Sequence, residues 1–239
     1  MAKLEARIAA VKIGKYATSE SGDTLEIVER PAGGISCVLV DGQRSGRSAK
    51  AVSNVVTRKA ISLLADGVRD GAAARAASDY LVTYRSGKVL ATLNILSIDL
   101  NTQSMVVSRN NPVAVLIIRD DYLQPLDGES KPVGTRIGIR PSIREFPLQK
   151  GLGAVVYTDG LVHAGERIGK PMDVITCVQS LIGAGPIDPE RWADHILEHA
   201  LDLDEGRPSD DMSVVVAGIL PSDGDGRRHL SVRMPLDHF

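Results

Sequence analysis

Four acidic sites in this chain each abut a run of apolar, strand-forming residues. They are Asp23 within "ESGDTLEIVE" (20–29), Asp41-Gly42 closing "ISCVLVDG" (35–42), Asp159-Gly160 closing "AVVYTDG" (154–160), and Asp210-Asp211 opening "DDMSVVVAGI" (210–219). One Asp-Gly after a strand is ordinary turn chemistry. Four such sites, scattered over nearly the whole sequence, suggest one shared cluster. Carboxylates at close range raise one another's pKa unless a cation neutralises them. Oxygen donors without His or Cys select hard ions, so Mg²⁺ or Mn²⁺ is the natural occupant. Two such ions about 3.5–4 Å apart can activate water and hold phosphoryl oxygens. The glycine after each strand-end Asp is expected to let the backbone turn tightly, and the Gly42 carbonyl could itself reach an ion. The chemistry implied is metal-dependent hydrolysis of a phosphate ester.

The elements that must carry these residues can be read from periodicity. Leu4, Ala6 and Ile8 alternate with Glu5 and Arg7, and after a slip at Ala9-Ala10 the alternation resumes with Val11 and Ile13, as in a bulged strand. Residues 24–30 and 35–40 form a hairpin around Pro31-Ala32-Gly33-Gly34. From Arg47 to about Val68, Ala49, Val52, Val56, Ala60, Leu63 and Leu64 recur at helical spacing. A second, Ala-rich helix is expected over 72–85, stopping at Ser86-Gly87. Short strands are predicted at 91–99, 104–108, 113–119, 143–148 and 153–158, and helices at 171–182 and after Asp188-Pro189-Glu190, where Asp at the N-cap and Pro at the first helical position are expected start chemistry. Strands at 212–219 and near 229–234 close the pattern, with "SDGDG" (222–226) read as the turn between them. Antiparallel strand groups alternating with helix pairs argue for an α+β layered sandwich rather than a doubly wound parallel sheet.

Length and composition bound the function. The 239 residues fit one large domain, 1–239, and no Pro/Ser-rich stretch or charge block marks a linker. Hydrophobic residues make up 43% but aromatics only 3%, which implies a core of Val, Leu, Ile and Ala. With 28 basic against 30 acidic residues, the net charge of -2 offers no electrostatic footprint for nucleic acid or an anionic membrane. The start, "MAKLEARIAAV", lacks the apolar core of a signal peptide, and no run of 18 apolar residues occurs, so a cytoplasmic protein is the simplest reading. Cys37 and Cys177 are expected to be buried free thiols.

Five segments carry a family resemblance. "SGD" (21–23), "VDGQRSGRSAK" (40–50), "KPVGTRIG" (131–138), "YTDGLVHA" (157–164) and "DDMSVVV" (210–216) stand in the order and spacing of the PP2C-like (PPM) serine/threonine phosphatases, and the chain resembles most the bacterial sporulation stage II protein E (SpoIIE) branch. The resemblance covers roughly residues 4–220. It implies a four-layer α-β-β-α sandwich, two antiparallel sheets flanked by helix pairs, with a dinuclear Mg²⁺/Mn²⁺ centre at one edge. By the same resemblance Asp41 bridges both ions and Gly42 offers its carbonyl, Asp159 and Asp210 hold the first ion, and Asp23 contacts the second directly or through water. Asp211 then supports the site from behind or caps the turn. Activated water, rather than a protein side chain, is the implied nucleophile. The chain departs from the branch pattern at Ser21, usually Gly, at "RNN" (109–111), usually Ala-Gly-His, and at His163, often Glu.

Arg44, Ser45 and Arg47, just past Asp41, are candidates to meet a substrate phosphate, since the guanidinium fork and a helix N-terminus both suit anions, although solvated loop residues are an equal alternative. "HILEH" (195–199) has the spacing of a zinc-protease motif, but the apolar face of its helix lies on Trp192, Ile196 and Ala200, which makes the histidines part of a solvated face. "DLDEG" (202–206) trails a helix instead of ending a strand and is set aside as a phosphotransfer motif. Two function classes remain. One is a phosphatase acting on a phosphorylated signalling protein, with a STAS-type anti-anti-sigma factor as the partner that the resemblance suggests. The other is a catalytically weak phosphatase-fold binding module in a partner-switching pathway.

Overall fold

The computed structural model describes residues 3–222, 224 and 226–236. Ten strands form two five-stranded antiparallel sheets. One has the order β1-β10-β9-β6-β7, built from β1 (Leu4–Ile13), β10 (Met212–Pro221), β9 (Leu152–Tyr157), β6 (Val115–Arg119) and β7 (Tyr122–Leu126). The other has the order β2-β3-β4-β5-β8, built from β2 (Asp23–Glu29), β3 (Gly34–Gly42), β4 (Ala91–Asp99), β5 (Ser104–Asn110) and β8 (Ser142–Pro147). Helices α1 (Gly46–Ala65) and α2 (Asp70–Arg85) cover the second sheet. A five-residue helix, α3 (Asp159–His163), follows β9, and α4 (Val174–Ala184) and α5 (Pro189–Leu203) cover the first sheet.

Three apolar layers hold this stack together, and each strand supplies two of them by the alternation of side chains across a sheet. In β3, Val38 and Val40 face α1 and α2, packing on Val52, Val56, Leu64 and Leu81, whereas Cys37 and Leu39 face the opposite sheet. In β10, Val215 and Ala217 meet that inter-sheet layer, and Val214 and Val216 pack beneath Trp192 and Ile196 of α5. Strands buried on both faces read as continuous apolar runs. The result is the expected α-β-β-α sandwich. Cys37 and Cys177 are free and buried, and burial pushes the Cys37 thiol up to about 12.

Several details depart from the sequence reading. β1 pairs with β10 without interruption from Leu4↔Pro221 to Ile13↔Met212, so Ala9-Ala10 is no bulge. Ala9, Val11 and Ile13 face the α5 layer while Ile8 and Ala10 face the inter-sheet layer, and two buried faces imitate a slipped alternation. β7 escapes the pattern because Pro125 interrupts it, yet a proline fits an edge strand whose outer side pairs with nothing. The strand predicted near 229–234 is irregular chain: Leu230, Val232 and Met234 alternate but are exposed, and no strand among the described residues pairs with them. Part of the "SDGDG" turn, at Asp223 and Asp225, lies outside the described residues. No helix among the described residues is long and apolar enough to cross a membrane.

Candidate metal centre

Antiparallel register brings the first two carboxylates together: Asp23 at the start of β2 is the cross-strand partner of Asp41, one residue from the end of β3. Directly paired residues stand about 4.5–5.5 Å apart at their Cα atoms. The other sheet ends at the same edge. There Tyr157 of β9 pairs with Val214 of β10, so Thr158-Asp159 leaves one strand beside Asp210-Asp211 entering the other.

Hydroxyls join the two sheets at this point. Thr158 Oγ1 and Ser213 Oγ both donate to Asp23 Oδ2, at 3.0 and 2.6 Å. The Ser213 amide donates to Thr158 Oγ1 at 3.0 Å, which turns the threonine proton toward the carboxylate. Asp23 is fully buried, yet its Oδ1 has no hydrogen-bond partner among the described residues. From behind, Lys12 and Lys50 both donate to the Asp23 backbone carbonyl, at 3.1 and 2.7 Å.

The electrostatics show that the acidic groups share one field. Burial pushes the Asp41 carboxyl up to about 9, and Asp23, Asp159, Asp210 and Asp211 all add to the rise. Asp23 is pushed up to about 7 by burial, opposed by its two hydroxyl donors and reinforced by Asp211. Burial and then Asp210 raise Asp159 as well. Among the described residues, no three His, Cys, Asp or Glu side chains are drawn tightly enough together to form a finished ion cage.

Two glycines matter here through space rather than through turning. Gly42 lies within β3, paired with Ala91, and a Cβ on it would come within 2.1 Å of the Ala49 carbonyl of α1. Gly160 lies within α3, where a Cβ would come within 2.1 Å of the Asp211 carbonyl. Neither has a positive φ, so the expectation of a tight glycine turn is replaced by one of close backbone approach.

Asp211 accepts from the backbone amides of Lys15 (2.9 Å) and Gly22 (2.8 Å), one on each carboxylate oxygen, and so fastens the loop that leads to Asp23. Asp210 caps its own turn, accepting from the Asp211 amide at 2.9 Å. Arg44 and Ser45 are exposed on the loop entering α1, Arg44 with a φ of 79° and Ser45 as an N-cap whose hydroxyl makes no capping bond. Arg47 is exposed on the first turn.

Sequence reasoning missed Lys12, Lys50 and Asp204. Asp204, in the discarded "DLDEG", is buried and accepts from the amides of Gly165 (2.9 Å) and Ser209 (2.5 Å), tethering the segment that delivers Asp210. The only signal was its place just past a helix end, which is common to solvated aspartates. Arg109 of "RNN" is buried and donates to the carbonyls of Asn111 (2.6 Å), Val113 (3.2 Å) and Gly128, clamping that turn. His163 is exposed and bonded to Glu166 at 2.7 Å, which raises its pKa. His195 and His199 lie on the exposed face of α5, away from buried Trp192, Ile196 and Ala200.

This architecture has solved counterparts. The PP2C phosphatase domain of the cell-fate determinant SpoIIE from Bacillus subtilis, solved with a fragment of its regulatory domain, superposes with a TM-score of 0.80 at 20% identity, covering 94% of this chain and 66% of that one. RsbX, solved with magnesium, gives 0.68 at 15% identity over 92% of this chain and 100% of its own. The catalytic domain of the serine/threonine phosphatase PstP, solved with two manganese ions, gives 0.66 at 17% over 91% and 100%. No curated protein sequence matches significantly. At these identities the structures establish the fold alone. The family model described as stage II sporulation protein E matches residues 31–220, from the first hairpin through the last strand, and the chain belongs to that family, a branch of the PP2C-like (PPM) phosphatases.

Proposed function

We propose that the chain is a metal-dependent protein serine/threonine phosphatase. The observation that carries this reading is the Asp23–Asp41 register pair, Asp23 buried and Asp41 half-buried, raised to about 7 and about 9, with Asp159 and Asp210 adding negative charge from the other sheet. Such an edge is costly unless positive charge enters it. The residues suit Mg²⁺ or Mn²⁺: the acidic donors are all oxygen, and Asp23 Oδ1 is a buried acceptor with nothing donating to it.

Asp41 is central in the proposed site, because all four other carboxylates act on it, and it is the candidate to bridge two ions. Asp159, Asp210 and the Gly42 carbonyl would complete one side and Asp23 the other. When bound, such ions supply positive charge to the phosphoryl oxygens and lower the pKa of water. Arg44 and Ser45, exposed at the N-terminus of α1, would orient the incoming phosphate. Asp211 and Asp204 hold the two loops that carry Asp23 and Asp210.

The substrate we propose is a phosphorylated signalling regulator of the STAS anti-anti-sigma type, in line with the family's association with partner switching. Incubating such a phosphoprotein with the chain and Mg²⁺ or Mn²⁺ is expected to release phosphate, and EDTA to prevent it. Tight binding of the regulator without phosphate release would instead identify a partner-binding module.

A further inference from the structure

We propose that Thr158 and Ser213 are positioning residues that select which oxygen of Asp23 is offered to a divalent cation, an inference that rests on the metal reading above. Both hydroxyls converge on Oδ2, at 3.0 and 2.6 Å. The Ser213 amide occupies a lone pair of Thr158 Oγ1 at 3.0 Å, so the threonine hydroxyl is directed to donate. Among the described residues its only other acceptor is the Asp211 carbonyl, at 3.5 Å. All three residues are buried, Asp23 and Ser213 at 0% exposure and Thr158 at 1%, so water does not substitute for these donors.

A carboxylate with one oxygen saturated by two donors has its rotation fixed and the other oxygen left for a cation. Oδ1 is that second oxygen, buried and without a partner. The donors come from one sheet and the carboxylate from the other: Thr158 follows β9, Ser213 lies in β10, and Asp23 begins β2. The pair therefore also sets the spacing between the two halves of the acidic edge. Groups that orient a metal ligand through hydrogen bonds typically change metal affinity by about 10–100-fold when removed.

The test is Mn²⁺ titration calorimetry on metal-free protein, with thermal melts run alongside. Thr158→Val removes the donor at nearly constant shape, Ser213→Ala removes the other, and Thr158→Ser restores the hydroxyl. Expected is a Mn²⁺ Kd weakened by about tenfold or more in Thr158→Val and Ser213→Ala, with Thr158→Ser close to the native value. A purely structural pair would lower the melting temperature and leave the Mn²⁺ affinity of the folded protein unchanged, which overturns the proposal. Should Thr158→Val fail to fold, Ser213→Ala against Thr158→Ser decides. If the native chain itself takes up no Mn²⁺, the metal reading falls and this inference with it, an outcome distinct from native binding that the variants leave unaltered.

Discussion

One oxygen of Asp23 is held by two hydroxyls while the other, equally buried, has none, and its neighbour Asp41 is more strongly perturbed still. Both carboxyls have folded pKa values, about 7 and about 9, above the ordinary 3.8. Below about pH 4 both are protonated whether the chain is folded or unfolded, so the fold keeps its full stability there. As the pH rises, the unfolded chain releases these protons first, so the metal-free fold loses stability through pH 7 and on toward 9. Melts of metal-free protein are expected to show a falling transition temperature across that window, and a much smaller fall in Asp41→Asn. A stability that rises from pH 5 to 9 would contradict the raised values. Asp211 plays a different part, since its oxygens satisfy two backbone amides. Asp211→Ala is expected to cost about 2–4 kcal/mol in urea unfolding, because two amides lose a charged acceptor. An unchanged midpoint would show that water replaces it.

Elements meet at this edge at closer range than side chains allow. The 2.1 Å that a Gly42 Cβ would leave to the Ala49 carbonyl means that Gly42→Ala must push α1 off β3. The expected cost is about 1–3 kcal/mol, together with a higher KM, since the proposed phosphate contacts Arg44 and Ser45 sit on the displaced helix start. A variant with native stability and KM would mean that the helix yields freely. Strong periodic elements were legible in the sequence: the amphipathic pattern of α1, the Ser86-Gly87 stop of α2, and the Asp188-Pro189 start of α5, where Asp188 accepts from the Arg191 amide. The placement of Asp23, Asp41, Asp159 and Asp210 at or beside strand ends was also legible, because each apolar run marks where its strand starts or stops. What stayed hidden depends on partners remote in sequence. Lys12 and Lys50 look like ordinary surface lysines until β2 is placed between their elements, and Asp204 resembles any helix-end aspartate. The alternating apolar tail at 229–234 shows the reverse failure, a strand pattern that no described strand pairs with.

At the scale of the whole molecule, the acidic edge is where the two sheets are tied. Asp23 and Asp41 belong to one sheet, while Asp159 opens α3 just after β9 and Asp210 lies in the loop before β10 of the other, so cations shared among them would cross-link the sandwich. Binding of this kind stabilises only the folded state, by about 2.7 kcal/mol at a hundredfold excess over Kd. For a chain of this size that corresponds to a rise of roughly 5–10 °C in melting temperature with Mn²⁺, lost in Asp41→Asn. A native melting temperature indifferent to Mn²⁺ would count against a shared site. The most direct measurement is phosphate release from phosphoserine and phosphothreonine peptides by the native chain and by folded Asp159→Asn, each with Mg²⁺, Mn²⁺ or EDTA. A metal-dependent phosphatase releases phosphate only with the cation and loses nearly all turnover in the variant. Undiminished release in EDTA, or equal rates from the two proteins, would contradict it.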